Sequence, residues 1–78
     1  MTKGQYLRLI LQKKGLTYQQ LADLMMEYRT KNNIKGKIDK HNIFYRISGH
    51  LNITDDFARE VEIVLNLPEG TLLDINKL

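Results

Sequence analysis

The chain has no cysteine and no tryptophan, and only one proline in 78 residues. Without cysteine there can be neither a disulfide framework nor a thiolate zinc site, and a reducing compartment, the cytoplasm, is the expected location. Long apolar runs are also missing. The most apolar stretch near the N-terminus, Tyr6 to Leu11, is six residues long and interrupted by Arg8. That is too short for a secretion signal or a bilayer crossing, so no membrane partner is expected. No glycine-rich phosphate loop and no nucleophile–base–orienter set occurs, so an enzyme is not expected and no cofactor is implied. His41 and His50, nine positions apart, do not share a helical face, so no metal site is expected either. Strand-like alternation of useful length is absent, and that leaves an all-α chain.

What is present is an ordinary globular composition, 42% apolar and 27% charged, at a length that fits a single domain spanning 1–78. The net charge of +3 hides a polarity. Residues 1–50 carry ten Lys or Arg against three acids, a net +7, whereas residues 51–78 carry two against six, a net −4. The basic portion is where an anionic partner belongs, with the acidic portion facing away from it.

Helix signals recur along the chain. Thr2 and Gln5 have capping-box spacing, Tyr6, Leu7, Ile10 and Leu11 form an apolar face, and Gly15 closes the helix, predicting 3–14. Thr17 and Gln20 repeat the box, with Leu21, Leu24, Met25 and Tyr28 at helical spacing, predicting 18–28. Met25 and Met26 read as core filler. Residues 29–38, "RTKNNIKGKI", form a basic loop in which Ile34 and Ile38 either tuck down, extend the preceding helix or edge a short hairpin. Asp39 caps a helix over 40–48 that Gly49 ends. Its apolar stripe is Ile43, Phe44 and Ile47, which leaves His41, Asn42, Tyr45 and Arg46 outward. Thr54 caps 55–65, with Phe57, Val61, Val64 and Leu65 inward, and Pro68 opens a fifth helix over 68–75.

Three stretches resemble lambda-repressor-like (Xre/Cro-type) helix-turn-helix domains. "GLTYQQLADLM" looks like the family's second-helix pattern GLTQxELAxxL. "FYRISGH" is similar to its third-helix ISRIExG, with Phe44 and Ile47 on the apolar positions. "ITDDFAREVEIVLNLPEGTLLDI" looks like its tail, sLxxLxxIAxxLxVsxxxLL. The order covers nearly the whole chain, with a connection from Ala22 to Phe44 that is roughly a dozen residues longer than the pattern. A related helix-turn-helix family of unknown function has a longer connection, and its NLxxKISRG resembles "NIFYRISGH".

The resemblance implies a compact five-helix bundle and a sequence-specific transcriptional regulator of bacterial or phage type, a repressor in the simplest case. Its third helix would enter the major groove of double-stranded DNA. His41, Asn42 and Arg46 then fall where base-reading residues sit, with Tyr45 adjacent. Asparagine suits adenine, and arginine or histidine suits guanine. Thr17, Tyr18 and Gln19 at a helix N-terminus, with Arg29, Lys31, Lys35, Lys37 and Lys40, are the expected phosphate contacts. The bland alternatives are a solvated helix face for Asn42 and Arg46, a core-edge role for Tyr45, and a solvated loop at 29–38. A two-fold operator implies a homodimer, for which Leu72, Leu73, Ile75 and Leu78 are the available apolar residues; their other role is packing the last helix onto the first. Two further readings are a protein-interaction module docking another regulator through 29–38, and an RNA binder that stacks bases on Tyr28 and Tyr45.

Overall fold

Capping decides where the chain turns. In a computed structural model of the chain, which describes residues 1–75, four α-helices follow one another: α1 (Lys3–Lys14), α2 (Tyr18–Lys31), α3 (Lys40–Ser48) and α4 (Asp55–Val64). There is no strand among the described residues. Both reciprocal capping boxes form. The Gln5 amide donates to Thr2 Oγ1 (3.1 Å) while the Thr2 amide donates to Gln5 Oε1 (2.9 Å), and Thr17 and Gln20 repeat the pair at 3.1 and 2.8 Å. Gly15, at φ 67°, supplies the left-handed residue that turns α1 into the connection to α2.

α3 packs across α1 and α2, and α4 packs on α2. The core they enclose includes Leu7, Leu11, Leu21, Met25, Ile43 and Val61, all essentially without exposure. One position sets how closely α1 and α3 approach. A Cβ on Gly4 would lie 2.6 Å from the backbone oxygen of Ile47, a contact no side chain tolerates. A glycine inside a helix usually weakens it; here it lets two backbones meet.

Three expectations are corrected. α2 continues to Lys31 rather than ending at 28, because the chain has no breaker before Asn32–Asn33, where Asn33 takes φ 54°. Residues 29–31 therefore belong to a helix, and the irregular connection begins at Asn32. It is held down at three points: Ile34 N donates to Arg29 O, Arg29 Nη1 donates to Lys35 O, and buried Ile38 donates its amide to Met26 Sδ.

The fifth helix over 68–75 does not form. Leu72 and Leu73 give their amides to the carboxylate of Glu62, both at 2.8 Å, and Gly70 gives its amide to the same group at 3.1 Å. Donors bound to a side chain on α4 are not available for a helical ladder, and Gly70 at φ 90° breaks the run. The segment is instead a series of turns that seats Leu72 in the core, fully buried. Leu72 is thereby withdrawn from any surface contact between copies. Leu73 and Ile75 are half-buried, and Leu78 lies outside the described residues.

The third correction concerns the register of α3. Ile43 is buried as expected, but Phe44 is 48% exposed and Ile47 is only half-buried. The helix is rotated so that the flank carrying Asn42 and Arg46, rather than the flank carrying Phe44, turns toward the rest of the protein. None of the described helices is long and apolar enough to cross a membrane.

Candidate nucleic-acid interface

The rotation of α3 follows from Arg46. Its guanidinium lies over the ring of Phe57 on α4, 4.4 Å from the centroid. Its Nε donates to Asn42 Oδ1 at 2.8 Å, and its Nη1 donates to the backbone oxygen of Asn52 in the loop after α3. Burial lowers its pKa from the ordinary arginine value. The like charge of Arg29 lowers it further, and Glu60 opposes both. An arginine side chain still carries its charge under such pressure. Asn42 and Arg46 do lie side by side, as their spacing requires, but they face each other and the loop. The pair expected to read bases instead ties α3 to the 49–54 connection and to α4.

The outward face of α3 is therefore Lys40, His41, Phe44, Tyr45 and Ser48, all exposed. The spacing is that of one helical stripe. Asp39 caps its start by accepting the Asn42 amide at 2.8 Å. That hydrogen bond holds the Asp39 carboxyl below its ordinary pKa, with smaller help from the neighbouring His41 and Lys37.

This stripe joins the N-terminus of α2 through aromatic rings. Tyr18 and Phe44 have centroids 6.4 Å apart, Phe44 and Tyr45 5.8 Å, and Tyr45 and His50 6.0 Å. The spacings are those of tilted ring contacts. Thr17 and Gln19 are exposed beside Tyr18. The Thr17 hydroxyl accepts from Gln20, and the Gln19 amide donates to Asp23 at 2.9 Å. The His50 ring is fixed by a 2.9 Å contact between Nδ1 and Ser48 Oγ.

The basic residues separate into three groups. Lys35, Lys37 and Lys40 are exposed, and no ion pair among the described residues engages them. Lys31 forms an exposed i,i+4 pair with Glu27 at 3.1 Å, a contact worth little in water. Arg29 is different. Its Nε and Nη2 bind the two oxygens of Glu60 at 2.8 and 2.9 Å, with 16% and 9% of the two side chains exposed. An arginine forked onto a buried carboxylate cannot also hold a phosphate, so Arg29 leaves the set of expected phosphate contacts.

The Tyr18–Phe44 contact brings Tyr18, with Thr17 and Gln19 beside it in the chain, to the stripe that carries Lys40, His41 and Tyr45. Phe44 as a surface residue and Glu60 as the partner of Arg29 were not expected from the sequence. The signal for Glu60 was available: three positions after Phe57 and next to Val61, it falls on the apolar side of α4 rather than on the charged side of Asp55, Asp56 and Arg59. Among the described residues no group of three or more His, Asp or Glu gathers as metal ligands would. Compared with known proteins, the chain matches no family model, and no curated protein or solved structure is significantly similar to it.

Proposed function

We propose that this protein is a sequence-specific double-stranded DNA-binding regulator of the helix-turn-helix kind, with α3 lying in the major groove and the N-terminus of α2 against the backbone. The observation that carries the reading is the continuous surface formed by the outward stripe of α3 and the capped start of α2, joined through Tyr18 and Phe44. It belongs to residues 1–50, which carry net +7, while six of nine acids lie beyond residue 50. His41 and Tyr45 are the polar base-reading residues on this surface, with Lys40 and Gln19 at its edges. Thr17, Tyr18, Lys35 and Lys37 serve the phosphates. Asn42 and Arg46 act indirectly, by fixing the rotation of α3.

A helix of nine residues is about 13 Å long and covers only a few base pairs, so two copies on a two-fold site are expected. Light scattering with and without DNA reports this: a monomer under both conditions overturns the dimer. The test of the whole reading is selection from a random duplex library, followed by gel shift at low and moderate salt. An enriched motif, lost in His41→Ala and Tyr45→Ala variants that remain folded, is the expected result. No binding to any duplex even at low salt would sink the reading and favour a protein-docking role.

One observation speaks for that second reading. The connection 32–39 is pinned in place yet presents Ile34, 40% exposed, beside Tyr28 and the 50% exposed Ile63. A pinned loop with an apolar tip is suited to a protein partner.

A further inference from the structure

A phenylalanine in the middle of an outward helical face has no hydrogen bond to offer, and solvent gains nothing from it. Phe44 is 48% exposed, and its ring neighbours Tyr18 and Tyr45 meet it in tilted contacts. It sits between His41 and Ser48 along the stripe, where a groove-bound helix comes nearest the bases. The two side chains best able to form bidentate bonds with a base, Asn42 and Arg46, are bonded to each other, and Arg46 is also bonded to Asn52. The bidentate pair is therefore withdrawn from the surface, and the middle of the stripe that remains is apolar, at Phe44. In the major groove the one apolar feature that distinguishes a base is the C5-methyl group of thymine.

Building on the DNA reading, we propose that recognition is centred on thymine methyl groups, with the Phe44 ring as the contact and Tyr18 and Tyr45 as the walls that hold it. Flanking Lys37 and Lys40 bring the anionic duplex to this apolar strip, which by itself would not attract a hydrated groove. The preferred site is accordingly rich in A·T at the position under Phe44. Methylated cytosine, which presents a methyl group at the same place in the groove, substitutes there in part.

The test uses the duplex enriched by selection and replaces each thymine in turn by deoxyuridine, which differs only in lacking the methyl group. At one or two positions the full-length protein should lose about fourfold in affinity, the value of one buried methyl group. The Phe44→Ala variant should bind more weakly and be indifferent to the same replacement. Because Phe44 is half-exposed, its melting curve should stay close to that of the parent, and Phe44→Leu should restore part of the sensitivity. Restoring a methyl group with 5-methylcytosine in a site carrying cytosine at that position should recover part of the loss. If DNA binds but no deoxyuridine position matters, or if Phe44→Ala keeps the full sensitivity, the methyl proposal is overturned while the DNA reading stands. If no duplex is enriched, both fall.

Discussion

Several side chains whose types suggest ligand contact are used inside the protein instead. Arginine was expected at the phosphates and on the bases, yet Arg29 and Arg46 both bind protein groups, Arg29 at Glu60 and Arg46 over Phe57. Removing one member of a nearly buried ion pair leaves the other charge without compensation. Arg29→Ala and Glu60→Ala should each cost about 3 kcal/mol in chemical denaturation. The double replacement Arg29→Met with Glu60→Leu should recover most of that, because two apolar side chains need no partner. A double variant that loses as much as the two single losses added together would show that the pair carries no coupling. Gly4→Ala provides a second check at this scale. Helix propensity alone favours alanine by about 1 kcal/mol, but the added Cβ would collide with the Ile47 oxygen. Net destabilisation of about 1–3 kcal/mol, in thermal melts, is expected. A stabilised variant would mean that α1 and α3 can separate freely.

Elements were legible in the sequence to the extent that their signals are local. Capping boxes, left-handed glycines and acidic first turns involve residues three or four apart, and the starts of α1, α2, α3 and α4 follow from them. What was not legible depends on distant partners. The end of the chain reads as a helix until Glu62 takes its amides. The rotation of α3 reads as Phe44 inward until Arg46 finds Phe57, eleven positions away. Glu62 makes the element-scale prediction. Burial raises its pKa, but the amides of Leu73, Gly70 and Leu72, with Arg59 beyond them, outweigh burial and leave the carboxyl more acidic than an ordinary glutamate. A carboxyl more acidic in the folded state adds stability that is complete above its unfolded pKa, near 4.5. That stability is lost as pH falls through the lower folded value. Asp39 follows the same sign from a reference near 3.8. Stability should therefore drop in acid below about pH 4.5, and Glu62→Gln should flatten that drop. At neutral pH the same variant should lose about 2–3 kcal/mol, since a neutral amide cannot accept all three bonds. Hydrogen exchange should then show the amides of Leu72 and Leu73 exposed while those of α1 and α2 stay protected. Unchanged protection at residues 72 and 73 would remove Glu62 from its role.

Over the whole molecule the division of charge determines what salt should do. If the basic portion, residues 1–50, meets the phosphates, each cation engaged releases counterions, and the logarithm of affinity falls by about 0.9 per phosphate neutralised for each decade of salt. The geometry assigns that work unequally. Lys35, Lys37 and Lys40 are exposed and without an ion pair among the described residues, whereas Arg29 is held by Glu60. Replacing the three lysines with alanine should therefore flatten the salt dependence by about 2.7 per bound copy, while leaving the melting temperature close to that of the parent. Arg29→Ala should do the reverse, lowering the melting temperature and hardly changing the slope in whatever protein stays folded. The two outcomes separate an arginine that stabilises the fold from lysines that meet the ligand, a difference composition and net charge do not reveal. Should the triple variant keep the parental slope, the phosphates must be met elsewhere. Lys13 and Lys14 at the end of α1, which also belong to the basic portion and lie just before the turn into α2, would then be the residues to replace next.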